Sequence, residues 1–317
     1  MIKSTKRFSF ALLSMILSLL IVTAAHPQEQ KTQPAPGSQD TAIHLHTQVV
    51  NIPVTVTDVH GRYVTALEKQ NFTVYEDKLK QQIDYFSEID APVSIGIVFD
   101  ISGSMKSRIG NAQAALRKMM DSSNKDDDYF LITFASNAQL VKDFTSDGES
   151  ITNALSFVTP KGSTALYDGA YLAVEKVRQG RHKRRAILII SDGEDNNSRY
   201  SYRELSKLIK EADVQIYGLG ITDFAGPGMG VLEQISRTTG GRAFSVLGGM
   251  DLEDAVNRIA LELRHQYSLG YVSANANMNG QFRKIRVEVT PVKGLGKLVV
   301  RARDGYFAEK SVEIIDK

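Results

Sequence analysis

The hydrophobic period of this chain changes twice, and those two changes limit the architectures open to it. Val50, Ile52, Val54 and Val56 alternate with Asn51, Pro53 and Thr55, the period of a strand with one buried face. Phe72 with Val74, and Ile83 with Tyr85, continue that pattern, with His60-Gly61 and Asp77-Lys78 read as turns between short strands. From Pro92 to about Arg264 the period differs. Apolar runs at Val93–Phe99, Tyr129–Phe134, Ala186–Ile190 and Val214–Leu219 alternate with stretches of three-and-four spacing, such as Ile109, Ala112, Leu116 and Val256, Ile259, Leu263. Past His265 the period of two returns, at Tyr267, Leu269, Tyr271, at Ile285, Val287, Val289 and at Leu298, Val300, Ala302.

Strand and helix in alternation imply an α/β fold with a doubly wound, mostly parallel sheet covered on both faces. Neither flank has enough strands to bury a core alone, because two or three short strands are marginal in water. The flanks are therefore predicted to pair with each other as one β-sandwich-like module, with the α/β domain inserted between them. The expected division is an export signal over 1–25, a flexible spacer over 26–46, the first part of the β module over 47–90, the α/β domain over 91–265 and the second part of the module over 266–310. Pro53 lacks a backbone donor, so its strand should lie at a sheet edge or turn that position outward.

The first 25 residues read as a targeting segment rather than as part of the fold. Lys3, Lys6 and Arg7 precede an apolar run from Phe8 to Val22, and Ala24 and Ala25 follow. That run is shorter than the roughly 20 residues a spanning helix needs, so cleavage and a periplasmic or secreted destination are expected, with no stable membrane insertion afterwards. The chain has 38 basic and 36 acidic residues, and the three basic ones in this segment leave 35 against 36 in the remainder. The near balance gives no support for nucleic-acid or membrane-surface binding. The one basic run, Arg178 to Arg185, has no interleaved aromatics and reads as a solvated connection. No cysteine occurs, so stability must come from core burial rather than disulfides.

Three segments carry the candidate chemistry. Val93 to Met105, V-S-I-G-I-V-F-D-I-S-G-S-M, is an apolar strand ending on Asp100, with Ser102 and Ser104 alternating after it, so three oxygen side chains can turn toward one point. Lys161 to Gly169, K-G-S-T-A-L-Y-D-G, delivers Thr164 just before a helix, and Ala186 to Asp195 is a second apolar strand ending near Asp192. In an open parallel sheet, loops beyond the carboxyl ends of the strands converge on one crevice. Oxygen ligands with little formal charge suit a small hard cation.

This constellation resembles the metal-ion-dependent adhesion site of von Willebrand factor A-type domains. The D-x-S-x-S motif is Asp100, Ser102 and Ser104, the separate threonine is Thr164 and the later aspartate is Asp192. The segments Val54–Asp58, Tyr267–Tyr271 and Arg303–Phe307 look like those of a bacterial exported group of VWFA-related proteins often labelled acidobacterial. The resemblance implies a bound Mg2+, with Ca2+ or Mn2+ as alternatives, held partly through water, and a coordination position that an acidic side chain of a partner fills. The implied partner is a protein or surface ligand with an exposed carboxylate. It also implies that the last helix of the α/β domain, from Leu252, moves on binding.

Residues near the motif admit plainer roles. Asp168 either orders the loops or serves as a first-turn carboxylate favoured by the helix dipole. Glu194, Asp195, Asn196 and Asn197 read as mostly solvated, Gly103 and Gly193 as turn formers, and Met105 as a packing residue. Two rival functions remain. In one the ion only staples loops in an envelope scaffold, and in the other the protein is a metal-dependent hydrolase. The second fits poorly, since a phosphate-transferring aspartate of the usual kind has an acid two residues on, where Ser102 stands, and no G-x-S-x-G, Walker-type loop or H-E-x-x-H occurs. His44 and His46 could share a strand face, but none of the six histidines falls in the three loops.

Overall fold

The computed structural model describes residues 48–88, 91–221, 227–246, 252–291 and 294–310. The export signal and the spacer, with His26, His44 and His46, lie outside the described residues.

Four strands come first, β1 (Val49–Asp58), β2 (Phe72–Glu76), β3 (Leu79–Gln81) and β4 (Tyr85–Glu88). The middle of the chain then runs β5 (Val93–Asp100), α1 (Ile109–Asp121), β6 (Asp128–Phe134), β7 (Ala138–Thr145), α2 (Gly148–Leu155), α3 (Leu166–Val177), β8 (Arg184–Ser191), α4 (Tyr202–Glu211), β9 (Gln215–Gly220), α5 (Pro227–Thr238), β10 (Ala243–Ser245) and α6 (Leu252–Arg264). The last strands are β11 (Tyr267–Val272), β12 (Phe282–Val289), β13 (Leu298–Arg301) and β14 (Gly305–Phe307).

The middle forms one six-stranded sheet in the order β10-β9-β8-β5-β6-β7, parallel throughout except where β7 runs antiparallel to β6. Every residue of β5, β6 and β9 is buried, which is why these strands read as continuous apolar runs rather than as alternations. Ile95, Ile97 and Phe99 point to a core shared with Leu116 of α1, Ile151 of α2 and Ile259 of α6. Val98, Phe130 and Ile132 point the other way, to Val174 of α3, Leu205 of α4 and Ile235 of α5. Each such side chain contributes about 1.5–3 kcal/mol through burial. Gly96 interrupts β5 for a packing reason, since a Cβ there would stand 2.3 Å from the Phe130 ring.

The flanks pair with each other, as the fold class read from the sequence requires. One sheet has the order β13-β1-β11-β4 and the other β14-β12-β2-β3, so both contain strands from before and after the α/β domain, alternating in the first and meeting at β12-β2 in the second. Val50, Ile52, Val54 and Val56 of β1 meet Phe72, Val74, Tyr267, Leu269 and Ile285 in the core between the sheets. Although β1 is interior, its two neighbours share it, with β11 pairing Val49–Val54 and β13 pairing Thr55–Asp58. Pro53 thus stands in the half with β11 alone beside it, where a missing donor is tolerated.

Glu76 links the two sheets. Its fully buried carboxylate accepts hydrogen bonds from Tyr271 Oη at 2.7 Å, Tyr306 Oη at 2.8 Å, Ser273 Oγ at 2.7 Å and Arg283 Nη1 at 3.2 Å. Burial and the adjacent carboxylate both raise the Tyr271 hydroxyl well above its usual range, which keeps it a neutral donor.

The chain passes between the module and the α/β domain twice, and both passages are tied. Asp127, buried, accepts from Val93 N at 2.8 Å and pairs with Arg264. Arg184 donates to Ala91 O at 2.8 Å, to Leu263 O at 2.5 Å and to Gln266 Oε1 at 3.0 Å. The basic run is therefore not simply a solvated connection, because carbonyl groups at both passages converge on one of its arginines. No described helix is long and apolar enough to cross a membrane.

Candidate metal centre

The site begins where β5 ends. Asp100 is fully buried, with its Oδ1 accepting from Ser102 N at 2.8 Å and its Oδ2 from Ser191 Oγ at 2.6 Å. Ser102 then opens a single 3-10 turn, Gly103–Met105, which the buried Met105 side chain anchors in the core beneath α1. The turn sets the Ser102 and Ser104 hydroxyls 3.0 Å apart. Ser104 Oγ donates to Asp192 Oδ2 at 2.5 Å, so residues 88 positions apart meet.

Thr164 is brought in by its backbone. Lys161 N donates to Ile101 O at 2.9 Å and Gly103 N to Gly162 O at 3.2 Å, docking the Thr164 loop on the serine turn. Thr164 N donates to Asn196 Oδ1 at 2.9 Å and Thr164 O accepts from Asn196 N at 2.9 Å, docking it on the Asp192 loop. Asp100, Ser102, Ser104 and Asp192 thus form one hydrogen-bonded array, and Thr164 joins their loops without a side-chain bond to the other four. Asp100, Ser102 and Thr164 make a buried floor, while Ser104 is exposed and Asp192 partly so.

Burial is the largest influence on Asp100 and pushes its carboxyl up to about 6; hydrogen bonds from Ser102 and Ser191 oppose this and the charge of Asp192 adds to it. Hydroxyls, an amide and a second carboxylate are the groups acting on it. Two carboxylates and three hydroxyls are a hard donor set of the kind that suits Mg2+, Ca2+ or Mn2+. Among the described residues no group of three His, Cys, Asp or Glu side chains gathers for a metal, so this array stands out through its hydroxyls. His60, His182 and His265 lie elsewhere.

Glu194, Asn196 and Asn197 are exposed and Asp195 is half-buried, as the sequence suggests, yet Asp195, Asn196 and Asn197 also tie the loops together. Helix α3 has Ala165 at its N-cap, which offers no side-chain acceptor. Asp195 Oδ1 instead accepts from Tyr167 N at 3.3 Å, and Ser198 Oγ from Asp168 N at 3.1 Å. Asn197 Nδ2 donates to Ser136 O at 2.8 Å. Asp168 is buried and accepts from Arg199 N at 2.9 Å, Tyr200 N at 3.0 Å and Arg199 Nε at 3.0 Å, so it orders the far end of the Asp192 loop. Ser191 occupies no position of the D-x-S-x-S motif. Its hydroxyl both donates to Asp100 and accepts from Gly193 N at 3.0 Å, and its place one residue before Asp192 at the end of β8 was the available signal.

Gly193 is held at φ +84°, and a Cβ there would lie 2.4 Å from Gly228 O. Gly193→Ala is expected to lose roughly 2–4 kcal/mol by thermal melting, since left-handed strain adds to a backbone collision. Gly61→Ala, at φ +79° in open space, should lose only about 1 kcal/mol. Equal losses would mean that the Asp192 loop is free to shift.

Comparisons with known proteins bear on the class of the central domain. Residues 95–194, which run from β5 through Asp192, match the model of the von Willebrand factor type A domain. The chain carries such a domain. It is 27% identical over 143 residues to an uncharacterized protein of Borreliella burgdorferi, an alignment covering 42% of each, so the chain spans less than half the length of that relative. Similar solved structures include a von Willebrand factor type A protein of Catenulispora acidiphila, 11% identical over 77% of this chain and 74% of that one, TM-score 0.48. An aerotolerance-related membrane protein of Bacteroides fragilis is 23% identical over 54% of this chain and 98% of that one, TM-score 0.47. The vWF domain of the type V pili tip protein Mfa5 of Porphyromonas gingivalis is 14% identical over 55% and 95%, TM-score 0.46.

Proposed function

We propose that this protein is an exported interaction module that captures an acidic group of a partner at a divalent-cation site formed by Asp100, Ser102, Ser104, Thr164 and Asp192. Domains of this type commonly mediate protein interactions, and the present array supplies a physical basis for one. The observation that carries the reading is the join between Asp100, Ser102, Ser104 and Asp192 at the carboxyl ends of β5 and β8, with its floor buried and its rim open.

The five side chains would hold Mg2+, or Ca2+ or Mn2+ in its place, and the ion when bound supplies a Lewis-acidic contact for a carboxylate oxygen. Asp100 provides buried negative charge that Ser191 and the Ser102 amide keep oriented. Ser104 and Asp192 face outward, where a partner reaches the site. We further propose that the protein is not an enzyme, because the two carboxylates of the array, the groups there able to act as a base, are the ones assigned to the ion. A protein or surface polymer bearing an exposed carboxylate, met in the periplasm or outside the cell, fits the site best.

A pull-down from native envelope tests this. With millimolar Mg2+ the protein should retain a partner at least ten times better than with a chelator, and Ser104→Ala should lose most of that gain. Capture that is equal with and without the chelator would refute the metal-dependent reading.

A further inference from the structure

The edge strand of the central sheet, β10, meets α6 and the β module in a cluster of charged groups. Glu262 of α6 is fully buried and pairs with Arg301 of β13, and Thr55 Oγ1 of β1 donates to it at 3.5 Å. Arg242 stands one residue before β10, with its Cζ 4.3 Å from the centre of the Phe244 ring. Phe244 belongs to the core that holds Val256 and Ile259 of α6, so Arg242, Arg301 and Glu262 lie on the same side of the sheet. A cavity of about 490 Å³ opens there, with Arg242 and Arg301 both in its wall. Sites that take small molecules usually measure roughly 300–1,000 Å³. Glu233 and Arg237 of α5 also line it and carry opposite charges.

Burial first, and then the nearby charge of Arg301, lower the Arg242 guanidinium from its usual range; Glu262 and Tyr63 oppose the change, and Arg258 of α6 adds to it. Burial pushes the Tyr63 hydroxyl up to about 12, so it stays a neutral group. Three arginines therefore gather here with Glu262 as the carboxylate among them, and Arg242 has no ion pair among the described residues. We infer that this cavity binds a small doubly charged oxyanion, such as a phosphate group, in the forks of Arg242 and Arg301. Guanidinium forks match the oxygens of such a group two at a time. Glu262 takes Nη2 of Arg301, and a guanidinium has five N–H donors, so Arg301 can serve both the carboxylate and the ligand. The charge left over once Glu262 is counted is two positive, which a dianion meets and a lone carboxylate does not. Arg301 belongs to the β module and Arg242 to the α/β domain, so the bound ion would join the two.

Calorimetry on the whole protein with inorganic phosphate tests this at about pH 8, where a phosphate carries close to two charges, in buffer freed of divalent metal by a chelating resin. The parent should bind one phosphate saturably, sulfate should compete with it, and acetate at matched ionic strength should not. Arg242 is half-buried and Arg242→Gln breaks no ion pair, so the variant should fold and weaken binding by about tenfold or more. Arg242→Lys, which keeps the charge without the fork, should weaken it by less. Ser104→Ala should bind as the parent does, which separates this site from the one at Asp100. An absence of saturable heat in the parent, unchanged affinity in Arg242→Gln, or acetate competing as well as sulfate would overturn the inference.

Discussion

With the proposed cation site, Mg2+ is expected to raise the melting temperature of the parent, and Asp100→Asn is expected to abolish that rise while leaving the metal-free protein at least as stable. The parent carries a fully buried carboxylate whose neighbours are hydroxyls, an amide and Asp192. Without a cation that charge is a burden, so an uncharged side chain of the same shape relieves it. Asn keeps an acceptor for Ser102 N, and Ser191 Oγ, which already accepts from Gly193 N, can accept from the new amide as well. Binding to the folded state adds about 2.7 kcal/mol at a hundredfold excess over Kd, and this increment should vanish from the variant. Calorimetric melts with and without the ion decide it. A surviving Mg2+ response would place the site elsewhere, and a variant unfolded in both conditions would make the ion chiefly a staple.

Glu76→Ala should cost about 3–5 kcal/mol, a large share of the 5–15 kcal/mol by which domains are stable. The change leaves the buried guanidinium of Arg283 without its carboxylate and strips an acceptor from Tyr271, Tyr306 and Ser273 together. Guanidinium denaturation should show it as a shifted midpoint. Glu76→Gln, which keeps an acceptor, should lose clearly less, and equal losses in the two variants would show that the charge matters and the retained acceptor does not.

How much of this was legible follows from the kind of burial involved. Strands β5, β6, β8 and β9 announced themselves because a parallel strand covered on both faces must be apolar at nearly every position. Strand β7 did not, since A-Q-L-V-K-D-F-T at an edge has neither a continuous run nor a clean alternation. The Asp100 motif was visible because its spacing is local. Ser191, Asp195, Asn196 and Ser136 were not, because each earns its role through a hydrogen bond to a loop far away in sequence. Arg184 looked solvated for a related reason, as its carbonyl partners at Ala91 and Leu263 carry no side-chain signature.

The register of β4 on β11 sets Glu88 directly opposite Tyr267, although the whole α/β domain lies between them in sequence. To the sandwich, that domain acts as an oversized hairpin loop. Closing about 180 unfolded residues would cost roughly 3 kcal/mol more chain entropy than closing a short turn. Once Asp127 has joined Val93 to Arg264, the folded insert presents near-adjacent ends, and most of that penalty disappears before the last strands pair. The topology thereby lowers the closure cost for the host whenever the guest has folded first.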